Sequence, residues 1–177
     1  MCSSDLRRNG SSVRMRVDLN GAPPPAAWPD GIEVRPFRAG DERTVYDVHV
    51  ETFADMTEPM RAGYDEWAHW LLQPPMFEPE SWFLAFAGAE PAGIALCHIH
   101  PEAGAGMVAI LGVRRRWRGR GLGRALLVHA FRHFARRGLP AVILGAESSS
   151  PTGADRLYES AGMRVTHRRL RYEKAPA

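Results

Sequence analysis

Apolar and polar positions follow two different periods along this chain, and each period predicts its own kind of element. Alternation runs through Ile32–Phe37 and predicts a strand. The adjacent segments 81–88 and 90–100 are short, mainly apolar runs and predict two strands joined by a turn. A helical period follows Asp41, a residue type that favours a helix N-cap. A second helical segment precedes the proline pair after residue 73. The first half of the domain therefore reads as strands interrupted by two helices.

The second half alternates strands with helices. Strands are predicted at Met107–Val113 and at 140–147, and a closing strand or hairpin at 163–174, with helices between them. The longer helix, Leu122–Arg137, has a broad apolar stripe and ends before Gly138. Its stripe comprises Leu122, Leu126, Leu127, Ala130, Phe131 and Phe134. This order of elements predicts an α/β fold, a mixed sheet with helices on both faces.

The N-terminal part differs from the rest in composition. Residues 1–12 are polar without a period and are expected to form a disordered tail, and Val13–Leu19 alternates like a strand. Asn20–Gly31 is rich in proline and reads as a linker. We therefore expect residues 1–31 to lie outside a compact domain that covers 32–174.

Composition narrows the class of protein. The chain has 177 residues, is 45% hydrophobic and 24% charged, and carries a net charge of +3, as an ordinary globular protein would. Its basic residues are nearly all arginines, which permits anion binding without demanding a nucleic acid. No run is apolar enough to span a membrane, and two cysteines form no disulfide framework. A reducing, cytoplasmic setting is expected.

The stretch from Val113 to Phe131 combines arginines and glycines and then becomes a helix. Free amide groups and the positive end of the dipole make a helix N-terminus attractive to anions, and glycines let an anion approach. The loop lacks the lysine of a Walker A motif, and Arg124 stands where a dinucleotide fingerprint needs its last glycine. A phosphate cradle of another kind, a solvated turn and an RNA-binding Arg-Gly segment are the alternatives.

Two motifs decide between these alternatives by resemblance. The loop "RGRGLG" at 118–123 resembles the acetyl-CoA pyrophosphate loop of the GNAT acetyltransferase superfamily. Downstream, "GADRLYESAGM" at 153–163 is similar to the second signature of that family. The resemblance covers about residues 32–174. It implies a twisted mixed sheet of six to seven strands and transfer of an acetyl group from acetyl-CoA, as co-substrate, to an amine, with no metal.

The resemblance also implies a set of site residues. Tyr158 matches the family tyrosine that protonates the leaving thiolate. Ser150 stands about where many relatives carry an asparagine. The strand ending at Val113 is implied to splay from the next one and to receive the pantetheine arm. The residues implied to hold the cofactor are Leu111, Gly112, Val113, Arg118, Gly119, Arg120, Gly121, Leu122, Gly123, Arg124 and Ser150.

The general base stays open at this stage. Relatives often use a glutamate on the strand before the loop, but that strand here has no carboxylate. Glu147, His98 and His100 are candidates, each of which has a structural explanation as well. Direct attack by the amine in a ternary complex is expected. No residue indicates a covalent acetyl-enzyme, and Cys97 is kept as the alternative.

The N-terminal segments resemble the junction and second half of tandem GNAT proteins, a group similar to mycothiol synthase. This implies that Val13–Leu19 is the last strand of a preceding GNAT domain. The expected partners are a small-molecule or peptide amine, and either a second copy of the chain or that preceding domain, with neither nucleic acid nor membrane. A weakly catalytic acetyl-CoA-binding module is the alternative function.

Other constellations have simpler explanations. His129 and His133 lie four residues apart on a helix, but no further metal-binding residue completes the pair. Trp67, Trp70 and Trp82 are expected in the core or a lid more than in a ligand platform.

Overall fold

A seven-stranded mixed sheet organises the protein, as seen in a computed structural model that describes residues 6–56, 59–147 and 153–174. Four α-helices pack on it, so the predicted α/β class with helices on both faces is confirmed. In chain order the elements are β1 (Leu6–Asp18), β2 (Ile32–Pro36), α1 (Glu42–Phe53), α2 (Tyr64–Leu71), β3 (Trp82–Ala87), β4 (Glu90–His100), β5 (Ala105–Val113), α3 (Leu122–Arg136), β6 (Ala141–Glu147), α4 (Ala154–Ser160) and β7 (Arg164–Lys174).

The strands lie in the order β2-β3-β4-β5-β6-β1-β7. Neighbours are antiparallel except β5 and β6, which are parallel. Parallel neighbours need a crossover connection, and α3 provides it. The parallel pair in the middle of the sheet becomes the centre of the site.

The first strand is longer than the sequence predicts. It begins at Leu6 and pairs with β7. The prediction that residues 1–12 form a disordered tail is therefore wrong for residues 6–12. Main-chain pairing between strands requires no apolar side chain, which explains why periodicity missed this part. Although β1 precedes the proline-rich linker, it lies inside the sheet, between β6 and β7.

A main core covers each of the two faces of the sheet, and Ala105, Ala141 and Ile143 form a third, smaller cluster. On one face, here called the α3 face, α3 buries its whole predicted stripe against β1, β4, β5 and β6. On the other, the α1 face, α1 and α2 pack against β3, β4 and β5, with Trp67 and Trp82 each 1% exposed. These two tryptophans are core residues, whereas Trp70 is 67% exposed.

The start of α1 differs from the prediction in its chemistry. The helix begins after Asp41 as expected, but the Asp41 side chain does not cap the first turn. It accepts hydrogen bonds from the Arg38 amide at 2.8 Å and from Arg35, and so fastens the preceding turn. After the end of α3, Gly138 adopts a φ of 76°, in the left-handed region that its predicted role as a helix stop requires.

Candidate active site

The parallel strands β5 and β6 are paired only at one end. Gly106, Met107 and Val108 pair with Val142–Leu144, and the ladder stops there. The register of β5 against β4 shifts at this point, because Val108 and Ile110 face consecutive residues of β4 and Ala109 is left over as a bulge. A bulge bends and twists its strand. Beyond it, β5 stays with β4 while β6 stays with β1, so a gap opens in the sheet.

The edge of β5 that faces this gap presents main-chain amides to it. The Arg114 amide donates to Ala92 on β4 at 3.0 Å, and polar groups of alternate residues in a strand point the same way. The amides of Leu111 and Val113 therefore point away from β4, into the gap. An extended chain inserted there would meet donors placed as in a sheet. This is the splayed geometry that the resemblance implies for these two residues.

A cavity of about 1070 Å³ occupies the gap and opens on both faces of the sheet. Of the residues assigned to the site from the sequence, most line it: Leu111, Gly112, Val113, Arg118, Gly119, Gly121, Leu122, Gly123, Arg124 and Tyr158. Arg120 does not, since its guanidinium lies over the Trp117 ring, 5.0 Å from the centroid. Ser150 lies outside the described residues.

The loop before α3 forms an anion seat. Gly119 and Gly121 have φ of 73° and 83°, in the left-handed region, and Gly121 is the N-cap of α3. The first α-helical bond runs from the Ala125 amide to the Gly121 carbonyl, so the preceding amides have no helical partner. No acidic side chain occupies the first turn. Together with the helix dipole, this geometry favours a phosphate or pyrophosphate group.

The arginines before the seat mostly serve another purpose. Arg118 donates to the Val113 carbonyl at 3.0 Å and to Asp55 at 2.8 Å, which fastens the loop to the end of α1. Arg115 donates from Nε to the same carboxylate at 3.0 Å. Arg114 pairs with Glu51 at 2.6 Å. From the sequence, Arg118 was expected to place a positive charge beside the pyrophosphate. The structure shows that it also clamps the loop to the end of α1, which the sequence did not indicate.

This clamp has electrostatic consequences. Hydrogen bonds from Arg115 and Arg118 hold the pKa of Asp55 well below its usual range. Arg116 is paired with Glu90 at 3.1 Å. Of the arginines from 114 to 124, Arg120 and Arg124 are the two without a carboxylate partner in the described part of the chain. A run that is mostly neutralised within the protein argues against a nucleic-acid surface.

Tyr158 lies on α4 at the cavity wall, half-buried. Burial, with a smaller effect of Asp155, raises its pKa to about 12, so the phenol keeps its proton near neutral pH. The position of α4 depends on Gly123, where an added methyl group would lie 3.1 Å from Leu157 Cδ2. The close approach of the two helices at Gly123 therefore helps to set the tyrosine beside the gap.

One of the three candidates for the general base lies at the cavity. Glu147, half-buried at the end of β6, lines it, whereas His98 and His100 do not. His98 is 6% exposed, and its Nδ1 has no hydrogen-bond partner among the described residues. Burial lowers its pKa. His100 accepts a hydrogen bond from the Ala103 amide at 3.3 Å. Neither histidine therefore reaches the cavity.

The covalent alternative finds no support. Cys97 is fully buried, and burial raises the pKa of its thiol, so no thiolate is available to attack a thioester. The histidine pair of α3 is also explained, because His129 packs edge-on to Phe83 and His133 bonds to Ser81 at 2.9 Å. Within the described ranges no cluster of three or more potential metal ligands occurs.

Comparison with known proteins identifies the family. The model of the acetyltransferase (GNAT) family matches residues 43–163, which include the gap, the anion seat and Tyr158. The chain belongs to the GNAT acetyltransferase family. The resemblance found in the two sequence motifs is therefore confirmed.

Relatives support this assignment over most of the chain. The mycothiol acetyltransferase of Acidothermus cellulolyticus is 34% identical over 167 residues, which cover 86% of this chain and 50% of the relative. The mycothiol acetyltransferase of Thermobifida fusca is 30% identical over 196 residues, which cover 98% of this chain and 60% of the relative. The GNAT chain thus spans about half the length of the curated relatives it matches.

Solved structures agree on the fold. The GCN5-related N-acetyltransferase of Sphaerobacter thermophilus has a TM-score of 0.82 and 36% identity, covering 94% of this chain and 52% of its own. A tandem GNAT protein from the clavulanic acid biosynthesis pathway shares the fold, with a TM-score of 0.69 at 17% identity. The match covers 97% of this chain and 56% of the tandem protein. A third structure of this fold is the NatC complex, which was solved bound to Gag peptide and CoA. It has a TM-score of 0.58 at 23% identity, and the match covers 73% of this chain and 82% of the NatC chain.

Sequence reasoning missed two parts of the site. Glu51 and Asp55 lie at the end of α1 and just after it, but no local signal connects them to the arginines 63 residues later with which they pair. The wall contributed by β1 and β7 carried no such signal, because it depends on strand pairing across more than 150 residues. No helix in the described part of the chain is long and apolar enough to cross a membrane.

Proposed function

We propose that this GNAT chain binds acetyl-CoA in the gap between β5 and β6 and transfers the acetyl group to a primary amine. The observation that carries the proposal is the continuous cavity, which begins at the anion seat of α3 and passes through the sheet. The free amides of Leu111 and Val113 would hold an extended pantetheine arm, and the amides after Gly121 would hold the pyrophosphate. The thioester supplies an activated acetyl group.

The side chains at the cavity supply the proton transfers. Glu147 takes a proton from the acceptor ammonium, and the free amine attacks the acetyl carbonyl carbon directly. The carbon–nitrogen bond forms, the carbon–sulfur bond breaks, and Tyr158 gives its proton to the leaving sulfur. The second amine proton then restores the phenol. No covalent acetyl-enzyme is needed, in agreement with the buried Cys97.

The acceptor is proposed to be a small molecule rather than a peptide. The relatives named mycothiol acetyltransferase support this choice. Because the chain spans about half their length, a weakly catalytic acetyl-CoA-binding module that supports another domain is the second candidate. Pairing with a second copy of the chain or with a further GNAT domain stays a prediction.

A thermal-shift titration with acetyl-CoA tests the cofactor site. Ligand at about a hundred times its dissociation constant stabilises a fold by roughly 2.7 kcal/mol, so the wild-type melting temperature should rise. Gly121→Glu should abolish the rise, because it places a carboxylate in the anion seat. The variant also introduces a side chain at positive φ and lowers the starting stability.

Gly138→Glu is the matched control for that strain. Gly138 has a φ of 76° at the opposite end of α3, and an added Cβ would meet nothing within 4 Å. This variant should therefore lose comparable stability yet keep the full acetyl-CoA shift. Equal shifts for both variants, or none for a folded wild type, would contradict the proposed site.

A further inference from the structure

The cavity wall on the α1 face is formed by three neighbouring strands. Arg14 on β1 is opposite Gly145 on β6 and His167 on β7. Two residues earlier on β1, Ser12 is opposite Glu147 on β6 and Arg169 on β7. Residues directly opposite in an antiparallel pair share a face of the sheet. We call this set the polar wall; it comprises Ser12, Arg14, Glu147, His167 and Arg169, all of which line the cavity.

Burial shows on which face the polar wall stands. Val13 and Met15 are 5% and 1% exposed within the core of the α3 face, so Ser12 and Arg14 project from the opposite face. Leu144 is buried in that same core, which places Gly145 and Glu147 with the wall. A methyl group on Gly145 would meet no described residue within 4 Å, so that part of the chain leaves the space above the wall open.

The polar wall and the anion seat lie on opposite faces of the sheet, joined by the gap. The anion seat belongs to the N-terminus of α3, whereas the polar wall lines the same cavity as Thr52, Phe53 and Met56 at the end of α1. Acetyl-CoA held at the seat reaches the gap from the α3 face. An acceptor amine must then approach from the α1 face, where the polar wall is one of the two sides of its entrance.

The charges of the wall are free to bind a ligand. Arg14 and Arg169 are exposed and form no ion pair with a carboxylate among the described residues, and Glu147 likewise forms none. Arg16, on the same strand and face but outside the cavity, is already paired with Asp18 at 2.7 Å. A guanidinium binds carboxylate and phosphate oxygens through parallel hydrogen bonds. A wall with guanidinium groups and one carboxylate complements a ligand that carries both an anion and a cation.

We propose that the acceptor is an amine that also carries an oxyanion, either a carboxylate or a phosphate. Arg14 and Arg169 bind the oxyanion, and Glu147 faces the ammonium group whose proton it takes. This inference rests on the proposed function, because it treats the cavity as the acetyl-transfer site. It adds a substrate class and two specificity-determining residues to that function.

Matched amines test the substrate class. Initial rates of CoA release, at saturating acetyl-CoA, are compared for O-phosphoethanolamine and ethanolamine, and for phenylalanine and phenylalaninamide. At least one anionic amine should show a kcat/KM at least tenfold above that of its neutral counterpart. The pair that shows the difference distinguishes a phosphate from a carboxylate.

Variants assign the preference to the wall. Arg14→Gln and Arg169→Gln should each raise the KM for the anionic amine at least tenfold, while the KM values for acetyl-CoA and for the neutral amine stay within twofold. Arg14→Lys should retain part of the preference, because it keeps the charge. Arg16→Gln, from the same strand and face, should behave as the wild type.

The outcomes separate this inference from the proposed function. Equal use of both members of each pair, or a preference that survives in both glutamine variants, would overturn the inference. Binding of acetyl-CoA in the thermal-shift assay without acetylation of any anionic amine would overturn it too, and would leave the cofactor site intact. Absence of the acetyl-CoA shift itself would instead overturn the proposed function.

Discussion

Single residues at the gap have chemistry that depends on their surroundings. Burial raises the pKa of Tyr158 to about 12, which keeps it a proton donor, while Arg115 and Arg118 hold Asp55 ionised. Cys97 shows the opposite case, since burial makes its thiol inert. Residue identity suggested roles for Tyr158 and Cys97, and only the environment distinguishes a donor from an inert group.

The tyrosine yields a prediction at this scale. Tyr158→Phe should lower kcat about a hundredfold with little change in the KM for acetyl-CoA, because a general acid acts in the chemical step. In the wild type, the rate should not fall between pH 7 and 10, since the donor loses its proton only near its raised pKa of about 12. Steady-state kinetics across this range measure both effects.

Cys97→Ala is the control, and it should keep wild-type turnover because the thiol takes no part. A phenylalanine variant with full activity, or a wild-type rate that declines through pH 8, would contradict the assignment of Tyr158.

At the scale of elements, small residues set how closely the helices approach the sheet. An added methyl group at Gly112 on β5 would lie 2.5 Å from Thr52 Oγ1 on α1, and that hydroxyl donates to the His49 carbonyl at 3.1 Å. Gly123 does the same between α3 and α4. The sequence motif presents these glycines as cofactor contacts, but their neighbours show that they also position the walls of the cavity.

Gly112→Ala should therefore lower the free energy of unfolding by about 1–3 kcal/mol, the usual cost of overpacking, because α1 must move from β5. Urea denaturation measures the loss. Gly145→Ala is the matched control, since it adds the same methyl group to a strand where nothing lies within 4 Å, and it should change stability by less than about 0.5 kcal/mol. Equal effects of the two variants would show that contact with Thr52 is not the cause.

At the scale of the whole molecule, β1 joins parts of the sheet that would otherwise be separate. It lies between β6 and β7, pairs with both, and buries Val13 and Met15 in the core of the α3 face. It also supplies Arg14 to the polar wall. The strand that the sequence assigned to a region outside the compact domain is thus part of its sheet and its cavity.

Removal of residues 1–19 should abolish cooperative unfolding, because it exposes two strand edges and the core beneath them. Addition of a synthetic peptide of residues 6–19 should restore a cooperative transition and the acetyl-CoA shift, both measured by thermal denaturation. The same peptide with Met15→Asp should not restore them, since Met15 is 1% exposed in the folded protein. A shortened chain that melts cooperatively alone would show that the domain begins after β1.

The sequence by itself determined the class of fold, the main elements and the family. Periodicity and apolar runs were sufficient because α3 and the strands β3 to β6 bury their apolar residues. Local motifs predicted the anion seat and the role of Tyr158 because both lie within single short segments. Tertiary structure alone decided the extent of β1, the clamp from Glu51 and Asp55, and the polar wall. These features arise from pairing and packing between residues far apart in the chain, and such contacts leave no local period in the sequence.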